Sequence, residues 1–100
     1  MACRVELTEY AEQFISENVL TERVLGRFDD AVEMLAAYPY AGPAYAPTYP
    51  AATPPFPCRY YPLSDTPFTL YYLVDEEREL VVVFDVEWSA GDPARRFSMH

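Results

Sequence analysis

The sequence predicts an α+β fold, with two N-terminal helices packed on one face of a four-stranded, mainly antiparallel sheet. Three observations predict it. Apolar residues recur at three- and four-residue spacing through the first 38 positions, and from Cys58 onward they alternate or run together. Between the two regimes lies a proline-rich stretch, and helices followed by strands is an α+β layout. A chain of 100 residues bounds a single domain over positions 1–100, large enough for one modest core.

Arg4 to Leu7 alternates polar and apolar side chains and reads as a short strand. Thr8 then caps a helix with Glu9 and Glu12 in its first turn, where carboxylates favour the positive end of the helix dipole, and the helix ends near Asn18. Thr21 caps a longer helix. Val24, Leu25, Phe28, Ala31, Val32 and Leu35 form its apolar stripe, and Tyr38 before Pro39 closes it. Pro39 to Pro57 holds seven of the ten prolines, interleaved with Tyr40, Tyr45, Tyr49 and Phe56. So many missing N–H donors forbid a helix or strand interior. The stretch is read as a long connector whose rings lie against the domain, with a docking ligand for an aromatic-lined groove as the other reading. Cys58–Leu63, Phe68–Val74 and Glu79–Glu87 follow as strands, the last two joined by a tight reversal through Asp75, Glu76, Glu77 and Arg78.

Sixteen acidic residues face seven basic ones, a net charge of −9, and every basic side chain is an arginine. A polyanion must then be met by a local arginine cluster, so general nucleic-acid binding is disfavoured. Cys3 and Cys58 are the only cysteines, and two buried, reduced thiols are expected of a cytoplasmic chain. One histidine, His100, offers no metal-ligand spacing, so neither a metal nor another cofactor is expected. No long apolar run or signal-like N-terminus is present, and the expected location is the cytoplasm, away from membranes.

The opening RVELTEYAEQF, the helix ending before a proline and glycine in YPYAGP, and the closing FTLYYLVDEERELVVVFDVEW together resemble the RelE/ParE toxin superfamily. These are the toxins of bacterial type II toxin–antitoxin modules, and the similarity covers nearly the whole chain. The resemblance implies a toxin neutralised by a cognate antitoxin that lays a helix or strand over the domain. In the ribosome-dependent ribonuclease branch, basic groups over the sheet stabilise the charge that develops on the cleaved phosphodiester. Arg59 stands where that branch carries an arginine. Thr69 replaces another, Trp88 and Ser89 occupy the place of a terminal basic or histidine group, and Phe97 stands near a tyrosine position.

The departures favour the branch resembling ParE, which binds DNA gyrase and needs no nuclease residues. Arg59, Tyr61, Tyr72, Trp88, Arg95 and Arg96 are the candidate partner-binding residues. Tyr60–Tyr61 and Tyr71–Tyr72 each send one ring to the helices and one to the open face, by strand alternation. One alternative is a ribosome-dependent mRNA endonuclease whose catalytic candidates are Arg59, Arg95 and Arg96, with His100. The other is a non-toxic interaction module that keeps the fold.

Overall fold

A computed structural model describes residues 3–45 and 56–89 of the chain. The elements are β1 (Arg4–Leu7), α1 (Glu9–Asn18), α2 (Glu22–Ala37), β2 (Arg59–Pro62), β3 (Phe68–Asp75) and β4 (Leu80–Trp88). Their order and type are those the sequence predicts. The sheet runs β1-β4-β3-β2, with β1 parallel to β4 and the other two pairings antiparallel. The sheet is therefore mixed, and mostly antiparallel.

Both helix starts are made by threonine. The Thr8 hydroxyl accepts from the Ala11 N–H at 3.3 Å and donates to the Phe84 carbonyl at 3.2 Å, so one side chain caps α1 and ties it to β4. Thr21 accepts from the Val24 N–H in the same way. At the far end of α2 the Tyr38 N–H still reaches the Met34 carbonyl, and Pro39 ends the helix there.

Ala11, Val24, Phe28, Ala31 and Leu35 of the helices meet Leu70, Tyr72, Val81, Val83 and Val86 of the sheet in the main core. A second, smaller cluster of Cys58, Tyr71 and Phe84, with Tyr45, Tyr60 and Leu73 against it, lies on the opposite face. Cys3 belongs to the first cluster and Cys58 adjoins the second. The sheet separates them, and both thiols are buried and free.

One irregularity decides what the outer face carries. Tyr71 pairs with Asp85 while Tyr72 pairs with Val83, which leaves Phe84 as an extra residue in β4. A bulge of this kind sets two consecutive side chains on one face. Phe84 and Asp85 therefore both point away from the helices. Beyond β2, the chain start of the proline-rich connector adds a bridge from Ala44 to Arg59. The Tyr45 N–H donates to the Cys58 carbonyl at 2.9 Å and the Tyr60 N–H to the Pro43 carbonyl at 3.1 Å, so part of this sheet edge is covered.

Candidate functional site

The face of the sheet turned from the helices is built row by row from the strand register. Tyr60, Tyr71 and Asp85 form one row across β2, β3 and β4, and Thr69 and Glu87 form the next. Above them, Tyr45 stands edge-on to Tyr60 and Tyr71, with ring centroids 5.9 and 5.3 Å away, and Phe56 stands edge-on to Phe84 at 4.6 Å. The described ends of the connector thus lie against the domain through their rings, as the connector reading expects. Tyr49 lies outside the described residues.

This face is negative where a ribonuclease needs positive charge. Asp85 is fully buried in it. The Cys58 thiol is pushed up to about 11, by burial first and then by the carboxylate of Asp85. Tyr10, at the start of α1, is pushed up to about 12 by burial, then by Glu87 and Asp85. Among the described residues, the cation that register places on this face is Arg4 on edge strand β1, engaged with Glu6 at 3.1 Å. Thr69 and Ser89 share a hydrogen bond of 2.7 Å across the exit of β4. Hydroxyls and carboxylates in this arrangement offer nothing to neutralise a phosphodiester transition state.

Arg59 faces elsewhere. It pairs with Tyr72 on the helix side, donates to the Gly42 carbonyl at 2.7 Å and lies 4.8 Å from the centroid of the Tyr40 ring. The Tyr72 hydroxyl accepts from the Gly42 N–H at 2.9 Å, and the Tyr40 hydroxyl donates to Glu76. These contacts bind the connector's first residues to β2, β3 and the β3–β4 turn. Burial pushes the Tyr72 phenol up, against the opposing pull of the Gly42 N–H and Arg59. One flank of Arg59 still borders an open cleft of about 280 Å³ shared with Tyr40 and Leu73.

Each tyrosine pair sends one ring to each face, as alternation expects. Tyr72 is 0% exposed and Tyr61 packs against the helix-side core, whereas Tyr60 and Tyr71 belong to the outer cluster. Strand alternation predicts one ring per face but not which. Trp88 stacks on Phe68 with centroids 4.5 Å apart and meets Phe14 edge-on at 6.2 Å, closing the rim of the core while 44% exposed. Arg95, Arg96, Phe97 and His100 lie outside the described residues. Asp85 is the feature that sequence reasoning missed. Its place in a valine-rich strand is the available signal, since a lone carboxylate there marks a departure from simple burial.

No protein-family model and no curated protein matches the sequence. Among solved structures, the isolated E. coli RelE toxin is similar over 91% of this chain and 88% of that one, with a TM-score of 0.66 and 18% sequence identity. The chain has the RelE-like fold. That likeness covers both helices and the four-stranded sheet of a RelE-like domain. Among the described residues, no helix is long and apolar enough to cross a membrane.

Proposed function

We propose that this RelE-like chain is the toxin of a type II toxin–antitoxin pair, held inactive in the cytoplasm by a cognate antitoxin. It acts by binding a target such as DNA gyrase rather than by cutting RNA. The observation that carries this reading is the outer sheet face, where Asp85 and Glu87 stand among Tyr60, Tyr71 and Phe84. Tyr71, Phe84 and Asp85 are buried there under Tyr45 and Phe56, so the described part of the face holds no cluster of cations for a phosphate backbone, and contact with a protein falls to the groups exposed at its rim. Trp88 supports partner contact through its exposed ring, and Arg59 through its open flank.

The test is inducible expression in bacteria, with plasmid supercoiling and global translation followed in the same culture. Growth arrest with altered supercoiling and intact early translation is the expected result. An immediate stop in translation overturns the gyrase assignment in favour of the arginine-based endonuclease. Absence of arrest in several hosts overturns the toxin reading in favour of an interaction module.

A further inference from the structure

Most of the described arginines sit beside the chain's own carboxylates. Arg4 faces Glu6, Arg78 faces Asp75, and Arg27 holds the carboxylate of Asp65, to whose carbonyl Arg23 donates. Arg59 differs. Its contacts among the described residues are neutral: Nη1 donates to the Gly42 carbonyl at 2.7 Å, and the guanidinium carbon lies 4.8 Å from the centroid of the Tyr40 ring. Neither contact cancels its charge. Tyr40 is itself fixed, its hydroxyl donating to Glu76. The guanidinium is thus held from two sides, while its other N–H donors meet no acceptor among the described residues.

Arg59 borders a cleft of about 280 Å³ at the end of the sheet where β2 begins and β3 closes. Leu73 and Val74 of β3 line it, with Ala44 and Pro57 from the described ends of the connector. One cation among apolar walls suits a single negative charge carried on an apolar body. A carboxylate matches the flat fork of a guanidinium, which can offer it two parallel donors. A phosphate dianion matches less well, because Asp75, Glu76 and Glu77 follow directly on Val74 and the Glu76 carboxylate reaches Tyr40. A nucleic acid needs more cations than one. The cleft lies at the small end of ligand pockets, so the apolar body is short.

We propose that this cleft is a binding site for a small monocarboxylate with an apolar body. The carboxylate sits on Arg59, and the body lies against Leu73 and Val74. Tyr40 and Gly42 hold Arg59 in place before the ligand arrives, so little side-chain freedom is lost on binding. The site stands apart from the toxin reading and rests on Arg59 and its cleft alone.

The probe is phenylbutyrate, titrated into the isotope-labelled full chain and followed through amide NMR shifts. Phenylbutyramide serves as its uncharged twin and inorganic phosphate as the bare anion. Saturable shifts at Gly42, Arg59, Leu73 and Val74 are expected, with a Kd of about a millimolar, the strength that a ligand of this size reaches. The amide should bind roughly tenfold more weakly, having lost the charge that Arg59 meets. Arg59→Gln removes the cation, and Ala44→Trp fills the cleft from an exposed position. Each should lose about tenfold. Arg4→Gln, on the opposite edge strand, should stay within about threefold of wild type.

No saturable shift, equal binding of the amide, or indifference to both cleft variants overturns the proposal. Phosphate binding more tightly than phenylbutyrate overturns it in favour of an inorganic-anion site. A leucine-ending peptide that binds far more tightly, and only with its terminal carboxylate free, overturns it in favour of a chain terminus. Thermal melts of each variant separate lost binding from lost folding, and Ala44→Trp carries the test if Arg59→Gln does not fold. If the chain causes no growth arrest in cells, the toxin reading falls while the titration still judges the cleft.

Discussion

Gly42 shows how a single side chain, or its absence, controls the connector. A Cβ at this position would lie 2.1 Å from the Tyr60 carbonyl oxygen and 2.8 Å from the Tyr72 hydroxyl. Backbone cannot yield cheaply, so Gly42→Ala should cost about 1–3 kcal/mol or more in a urea melt. Tyr72→Phe removes the acceptor of the buried Gly42 N–H. That leaves a donor without its partner, and the expected loss is about 1–3 kcal/mol in the same melt. Two other residues set the alkaline limit. The Cys58 thiol, ordinarily near 9.0, is pushed to about 11, and the Tyr10 phenol, ordinarily near 10.0, to about 12. Both are neutral when protonated, so the folded chain holds protons that the unfolded chain releases. Stability from them is fully present below pH 9 and is lost as pH rises through about 11 for Cys58 and about 12 for Tyr10. Denaturation midpoints across that range should fall, and Cys58→Ala should remove the component between pH 9 and 11. At this scale the sequence was least legible. Identical tyrosine pairs on adjacent strands carry no mark of which ring faces the helices.

At the scale of elements the sequence was far more explicit, because caps and periodicity are local. Thr8, Thr21 and the Tyr38–Pro39 stop each act within one turn of the helix they bound. Thr21→Ala should destabilise the chain by about 1 kcal/mol through the loss of its bond to the Val24 N–H. Gly26 gives the opposite expectation. It lies inside α2, and a Cβ there meets nothing within 4 Å. Gly26→Ala should therefore stabilise by about 0.5–1 kcal/mol, read as a higher midpoint in thermal unfolding. What local pattern could not reveal is the bulge in β4. Period-two alternation sends Phe84 and Asp85 to opposite faces, whereas the register sends both outward. Bulges depend on how two strands pair, and that pairing is not written in either strand alone.

For the molecule as a whole, the succession of helical and strand periods made the α+β layout readable. The layout agrees with the RelE toxin at only 18% identity. The parallel pairing of β1 with β4 was not legible, since it joins segments at opposite ends of the fold. The proposed function is reached from the sequence mainly by subtraction. All five described arginines are engaged: Arg4 by Glu6, Arg23 and Arg27 by Asp65, Arg59 by Gly42, and Arg78 by Asp75. A chain of net charge −9 whose described cations are so committed has little to offer a nucleic acid through them. If the chain arrests growth as proposed, the triple variant Arg59→Ala/Arg95→Ala/Arg96→Ala should keep most of that arrest. Loss of arrest together with loss of mRNA cleavage would instead point to the arginine-based endonuclease.

The sheet order also has a temporal meaning. Thr8 and Phe84, 76 residues apart, are joined by a hydrogen bond, and β1 finds its neighbour only in β4. At ribosomal speeds of about 5–20 residues per second, the first strand waits roughly 4–15 seconds for its pairing partner to be synthesised. Loop closure over such a separation is slow even afterward. Throughout that interval the nascent chain exposes half-built helical and strand surfaces but no finished domain.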